Sequence, residues 1–373
     1  MRKFFIVLFI LLLTTACNQE VKIKPSGKSV KIGVLVPKTG KNKRFSKQSL
    51  AGLKAALKMQ PYLKNGDKIE LIILDTKSHI VTIREAFYKL NAKKVKSIIS
   101  FMGSDSTMAA ASFFKANTIP LVVTLATNDN IVKLAPNISQ VCFDNNMQSL
   151  VAAHYIKDEK FLTHAGIIYD RSNHYSHALA KEFKKYYKAI GGHINFYISI
   201  TKKSEIKKLK REKMDATQIL YNTTDAKITL KILELIEKKS WSVDIVSADG
   251  LLSSARAIYK GDISKFDGLY VTEHYASNVL KSKQRKVLEK YLKEDGFEES
   301  SYAFLAYDGY MLLQDALNSC TNYTHACINK NLQNSGVING AIGNFSIINA
   351  KVRREVYVDK IKNAKLYKEI VTY

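Results

Sequence analysis

The run Gly103-Ser104-Asp105-Ser106 places three short oxygen-bearing side chains between an apolar stretch, Ser97–Phe101, and a helical pattern, Ser106–Asn117. A helix start leaves backbone N–H groups unpaired and carries partial positive charge, so such side chains either cap the helix or help to hold an anion. Ser104 is open to both uses, and Asp105 and Ser106 read more simply as caps. His174 and His177 of Asn173-His174-Tyr175-Ser176-His177 have spacing that would place two metal ligands on one helix face, but no further Cys/His ligand pair accompanies them. They read as the polar start of a helix, and no metal site is expected. The chain has no HExxH, no GxSxG and no glycine-rich Lys-Ser/Thr loop, and Ser104 has no identifiable His/Asp partner. Enzymatic chemistry is therefore not expected.

The elements that must position these residues follow a regular beat. VKIGVLVP is followed by RFSKQSLAGLKAALKMQ, IELIILDT by IVTIREAFYKLNAK, and SIISF by STMAAASFFKAN. PLVVTL follows, and after QVCFD the beat resumes with HAGIIYD, HINFYISI, TQILYNT, VDIVSAD and GLYVTEHY, separated by helical stretches. The strands are apolar throughout rather than alternating, as parallel strands covered on both faces are. This predicts an α/β fold of two doubly wound, Rossmann-like lobes, with helices over 283–332 and a strand-rich tail from Gly340. Ligands of open α/β sheets bind beyond the carboxyl ends of the strands. The informative positions are then 37–45, 102–106, 125–128, 169–175, 222–225 and 248–250.

The N-terminus carries Arg2 and Lys3, then apolar Phe4–Leu13, then small residues ending at Ala16. That is a secretory signal over 1–16, too short to span a bilayer. Cys17 directly after it resembles a lipobox cysteine, which would be lipidated and become the mature N-terminus; ordinary cleavage to a soluble protein is the alternative. Residues 17–28 read as a polar tether. In an exported protein Cys320 and Cys327, which bracket a short polar loop, suit a local disulfide, and Cys142 reads as a buried free thiol. The formal charge of +25 comes from 58 Lys+Arg against 33 Asp+Glu. An exported protein meets little nucleic acid, so these cations read as solvated helix faces, with attraction to anionic lipids or cell-wall polymers as the other use.

The ordered set KIGVLVPKTGKNKRFSKQSLAGLKAAL, KKVKSIISFMGSDSTMAAASFFKANTIPLVVTLATN, AGIIYDRSNHYSHALAKEFKKYYKAIGG, FDGLYVTEHY, SYAFLAYDGYMLLQDAL and GAIGNFSI resembles the leucine/isoleucine/valine-binding proteins. These are type I periplasmic substrate-binding proteins of ABC importers. The resemblance implies two lobes joined by three crossovers, near 143–146, 272–274 and 345–347. One lobe would comprise 29–144 plus 275–345, the other 145–274 plus 346–373. It also implies a ligand carboxylate held by Ser104 and Thr127, and an ammonium facing the Leu125 carbonyl and Asp249. Phe45, Tyr175 and Tyr302 would form an aromatic wall, with Thr224 aligning loosely. The chemistry is self-consistent, since a zwitterion needs an anion site, a cation site and an apolar wall. Taken singly, Thr127 is equally a turn residue and Asp249-Gly250 an ordinary turn pair.

The implied function is capture of an amino acid, or a related zwitterion or carboxylate, for delivery to an ABC permease and ATPase by a protein anchored through lipid at Cys17. No cofactor is implied. The rival is a ligand-sensing or cell-wall-synthase-activating lipoprotein of the same fold. Three departures from the family pattern bear on the ligand. Asp105 stands where a small neutral residue is usual, the first loop carries Lys41, Lys43, Arg44 and Lys47, and Asp249 is shorter than the usual glutamate.

Overall fold

The computed structural model describes residues 23–372, apart from 41, 44, 45, 278 and 280. Cys17 and Phe45 therefore lie outside the described residues. The strands are β1 (Ser29–Val36), β2 (Lys68–Asp75), β3 (Ser97–Ser100), β4 (Leu121–Val123), β5 (Ile138–Gln140), β6 (His164–Tyr169), β7 (His193–Ser199), β8 (Ile219–Asn222), β9 (Asp244–Ser247) and β10 (Tyr270–Glu273). β11 (Ile338–Asn339), β12 (Asn344–Ile348), β13 (Lys351–Arg353), β14 (Val356–Lys362) and β15 (Lys365–Thr372) follow the long C-terminal helices.

Two sheets result, ordered β11-β12-β13-β5-β4-β3-β1-β2 and β15-β14-β10-β9-β8-β6-β7. The first five strands pair in parallel, as do β6 to β10, whereas β14 and β15 add to the second sheet antiparallel. This is the two-lobed α/β architecture that the strand–helix beat predicts. Parallel strands need helical crossovers, and those helices bury both faces, which is why β3 and β8 are buried at every position.

The helix Ser301–Asn318 is the central strut of the first lobe. Ser300 caps it by accepting from the Tyr302 amide at 3.2 Å. It crosses the helix Ser46–Met59 so closely that a Cβ added at Gly52 would stand 2.1 Å from the Ala303 carbonyl oxygen. Only glycine permits that approach, and the crossing fixes where Tyr302 enters the cleft. Beyond this helix, a disulfide joins Cys320 to Cys327, while Cys142 is a buried free thiol.

The first two crossovers fall where the resemblance implies, between β5 and the helix Asn145–His154 and after β10. The third does not. β12 and β13 both belong to the first sheet, so the chain crosses at Arg354-Glu355 and not near 345–347. The segment 346–353 accordingly stays with the first sheet. The cause is a tight hairpin at Asn349-Ala350, with φ of 51° and 65°, that returns β13 beside β5.

Arg354 ties this crossing to the first lobe. Its guanidinium lies 2.5 Å from Asp308 Oδ2, with side-chain exposures of 2% and 0%, and it also donates to the Val141 carbonyl at 3.4 Å. The other oxygen of Asp308 accepts from the Ala341 amide at 2.6 Å. One cation thus joins the first crossover, the third crossover and the strut helix.

On β14, Asp359 is fully buried and neither of its carboxylate oxygens has a hydrogen-bond partner among the described residues. Burial pushes its carboxyl up to about 8, against the pull of Arg285. Between the unfolded pKa of about 3.9 and that raised value, the folded chain holds a proton that the unfolded chain has released. The stability due to this group is therefore complete below the unfolded pKa and falls as pH rises through the window. Urea unfolding from pH 5 to 8 should show a decline of up to about 1.4 kcal/mol per pH unit that Asp359→Asn removes. Identical pH slopes in the two proteins would contradict this account.

Candidate functional site

On the first lobe, the chain leaves β3 and enters the short helix Ser104–Ala109 with Gly103 at its N-cap. No side chain caps this helix. The Ser104 hydroxyl instead accepts from the Asn128 amide at 3.3 Å, so it faces the loop after β4 and not its own helix. Asp105 and Ser106, expected as caps, make no cap bond either. Asp105 Oδ1 is buried with no hydrogen-bond partner among the described residues.

The Thr127–Asp129 loop is held from behind by the first crossover. The Asn145 amide donates to the Thr127 carbonyl at 2.7 Å, and the Asn146 amide to Asp129 Oδ1 at 2.7 Å. Burial raises the Asp129 carboxyl to about 6, opposed by that amide. The Thr127 side chain remains, 2% exposed and with its hydroxyl unpartnered among the described residues. A buried hydroxyl without a partner is costly, so its orientation calls for an explanation.

The second lobe supplies the opposite face. Asn173 caps the helix His174–Ala189 by accepting from the Ser176 amide at 3.0 Å, which sets Tyr175 in the first turn. Its hydroxyl donates to Asp249 Oδ1 at 2.5 Å. Burial pushes the Tyr175 phenol up, so it stays a donor. Asp249 follows β9, and its second oxygen lies 3.5 Å from His274 Nε2. His274 is 2% exposed and stacks on Phe143 with ring centroids 3.7 Å apart. Burial lowers its pKa, which favours the neutral imidazole, and Nε2 is the edge turned to Asp249. Neighbouring Glu273 is fully buried, accepting from the His274 amide at 2.8 Å and the Ser301 hydroxyl at 3.2 Å. Burial, with Asp249 adding to it, pushes Glu273 well above the usual carboxylate range.

These two faces close around a cavity of about 90 Å³. Of the residues singled out in the sequence, Ser104, Leu125, Thr127, Tyr175, Asp249 and Tyr302 all line it. Thr224 does not. It borders an adjacent hollow of about 60 Å³, and its hydroxyl donates to Asn222 Oδ1 at 2.8 Å in a network that secures the β8 loop. Asn42 and Asp105 line the cavity without having been assigned to it. His274 was also missed, because a single histidine after a strand carries no motif; its position at a crossover is its only signal. His177 stacks on Tyr169 at 5.3 Å, and no group of side chains able to hold a metal occurs among the described residues. A larger crevice of about 790 Å³ lies at the crossovers, where Lys351 pairs with Asp144 and Arg354 with Asp308.

Sequence and structure comparisons bear on what such a cleft belongs to. The family described as periplasmic binding protein matches residues 29–365. The chain belongs to that family. Its members are solute-binding proteins, and solved structures of the same fold serve ABC transporters. A leucine binding protein of Thermotoga maritima superimposes with a TM-score of 0.81 at 24% identity, covering 92% of this chain and 98% of the other. A branched-chain amino acid transporter substrate binding protein of Streptococcus pneumoniae, in complex with isoleucine, gives 0.78 at 20% identity over 92% and 99%. A solute binding protein of Rhodopseudomonas palustris in complex with p-hydroxybenzoic acid gives 0.80 at 18% identity over 92% and 97%. At these identities the likeness establishes the type I periplasmic-binding-protein fold. No curated protein sequence matches the chain. No described helix is long and apolar enough to cross a membrane.

The unpartnered hydroxyl of Thr127 gives a direct expectation. Thr127→Val keeps the shape of the side chain and removes the polar atom, so the ligand-free protein should melt at or above the wild-type temperature. A buried threonine serving structure alone would instead destabilise the fold by about 1 kcal/mol when replaced. A clear drop in melting temperature would assign Thr127 that structural role.

Proposed function

We propose that the protein captures an amino acid between its lobes and presents it to an ABC permease and its ATPase. The observation that carries this reading is the pairing, in one small cavity, of the unpartnered Thr127 hydroxyl with the Asp249 carboxylate. Ser104, Thr127 and the backbone amides beside them suit a carboxylate. Asp249, held by Tyr175 and His274, suits an ammonium, helped by the Leu125 carbonyl. Tyr175 and Tyr302 supply the wall for a side chain. Because Ser104 and Thr127 belong to one lobe and Tyr175 and Asp249 to the other, a ligand bound to both favours the closed form, shifting an existing open–closed equilibrium. The closed form is what a transporter would read.

The printed ligands of the structural relatives divide between amino acids and aromatic acids. An aromatic acid brings a negative charge and no ammonium to a cavity already lined by Asp105 and Asp249, and the amino acid reading is preferred for that reason. Lipid attachment at Cys17, after a signal over 1–16, belongs to the same proposal and would hold the protein at the membrane surface outside the cytoplasm.

Thermal unfolding of protein beginning after Cys17, against amino acids and aromatic carboxylates, tests the reading. A ligand at 100 times its dissociation constant adds about 2.7 kcal/mol, a rise of several degrees. Amino acids should produce the shift, and Ser104→Ala/Thr127→Ala should abolish it in a protein that still folds. Full affinity in the double variant would remove these residues from the site. A shift produced by benzoates and not by amino acids would replace the ligand class, and a flat panel would favour the regulatory alternative.

A further inference from the structure

The cavity contains one acidic group more than the capture of a simple zwitterion requires. Asp249 enters it from the second lobe and Asp105 from the first, and both line the same space of about 90 Å³. The two carboxylates are not equivalent. Asp249 has Tyr175 on one oxygen at 2.5 Å and His274 near the other at 3.5 Å. Asp105 has no such support, and its Oδ1 is buried without a hydrogen-bond partner among the described residues. The buried, unpartnered Thr127 hydroxyl lines the same space, which marks the cavity as a place for a bound molecule independently of the acids.

An α-amino acid with a neutral side chain carries one ammonium. If that group meets Asp249, the buried Oδ1 of Asp105 is left without a partner beside the ligand's own carboxylate, which costs both desolvation and repulsion. A second cationic group on the ligand removes both penalties at once, because a charge-assisted N–H bond to Asp105 replaces an empty acceptor.

Resting on the amino acid reading above, we propose that the ligand is a cationic amino acid, a diamino acid whose side-chain ammonium is read by Asp105. Asp105 is then the residue that decides ligand charge, while Asp249 reads the α-ammonium common to all amino acids.

Calorimetric titration of the mature protein with L-2,4-diaminobutyrate, L-ornithine, L-alanine and L-leucine tests this. At least one of the diamino acids should bind tenfold or more tightly than either neutral amino acid. In Asp105→Asn the ratio of diamino to neutral affinity should fall at least tenfold, with melting temperature used to establish that the variant folds. Asp105→Ser serves as the second variant and should lose the same preference. Neutral amino acids binding as tightly as the diamino acids would overturn the inference and leave the amino acid reading intact. A preference that survives in both variants would overturn the role of Asp105. Failure of every amino acid to bind a folded protein would overturn the inference together with the reading beneath it.

Discussion

A single buried ion pair ties the third crossover of this protein to the first crossover and to the strut helix. Arg354 joins Asp308 of the strut helix to the Val141 carbonyl at the first crossover, while itself lying on the third. Such a pair adds little net stability, since the desolvation of two charges roughly offsets their attraction. Its value is geometric. A guanidinium that must satisfy fixed partners in a dry environment tolerates few arrangements, and losing one partner strands a buried charge. Behind the small cavity on which the strand ends of the two sheets converge, this pair holds two of the three crossovers together.

The second crossover extends the same logic to the site. His274 stacks on Phe143 of the first crossover and turns an imidazole edge toward Asp249. The carboxylate that faces the cavity is therefore oriented by a residue of the hinge as well as by Tyr175 of its own lobe. The Thr127 loop is likewise held by amides of Asn145 and Asn146, at the start of the second lobe. Both faces of the cavity are thus tied to the crossovers between the lobes.

How much of this was legible in the sequence depended on the kind of signal. Parallel strands under helices on both faces leave continuous apolar runs, and β1, β3, β6 and β8 were readable for that reason. Strand-end positions then follow from topology, and the resemblance to the leucine/isoleucine/valine-binding proteins singled out Ser104, Leu125, Thr127, Tyr175 and Asp249 among them, with Tyr302 implied by the resemblance alone. The third crossover was misplaced because the hairpin before β13 turns on Asn349-Ala350, with both residues in the left-handed region. Such turns usually announce themselves with Asn-Gly, and alanine at the second position hides the signal. Thr224 borders the adjoining hollow and not the cavity itself, and a hydroxyl after a strand looks the same in sequence whether or not, as here, it bonds Asn222. His274 and the buried oxygen of Asp105 depend on contacts between segments far apart in the chain, which no local pattern encodes.

The polar atoms left without partners at this rim are best understood as part of its design. Folding satisfies most buried donors and acceptors, and an unsatisfied one subtracts from a small net stability. Thr127 Oγ1 and Asp105 Oδ1 sit on opposite sides of the Ser104 turn, and both border one cavity. On the reading proposed above, a molecule of the right shape and charge would supply their partners and recover the free energy that they cost the ligand-free chain. A molecule lacking the complementary groups would bury the same surface but leave these atoms unsatisfied, and selectivity would follow from that difference.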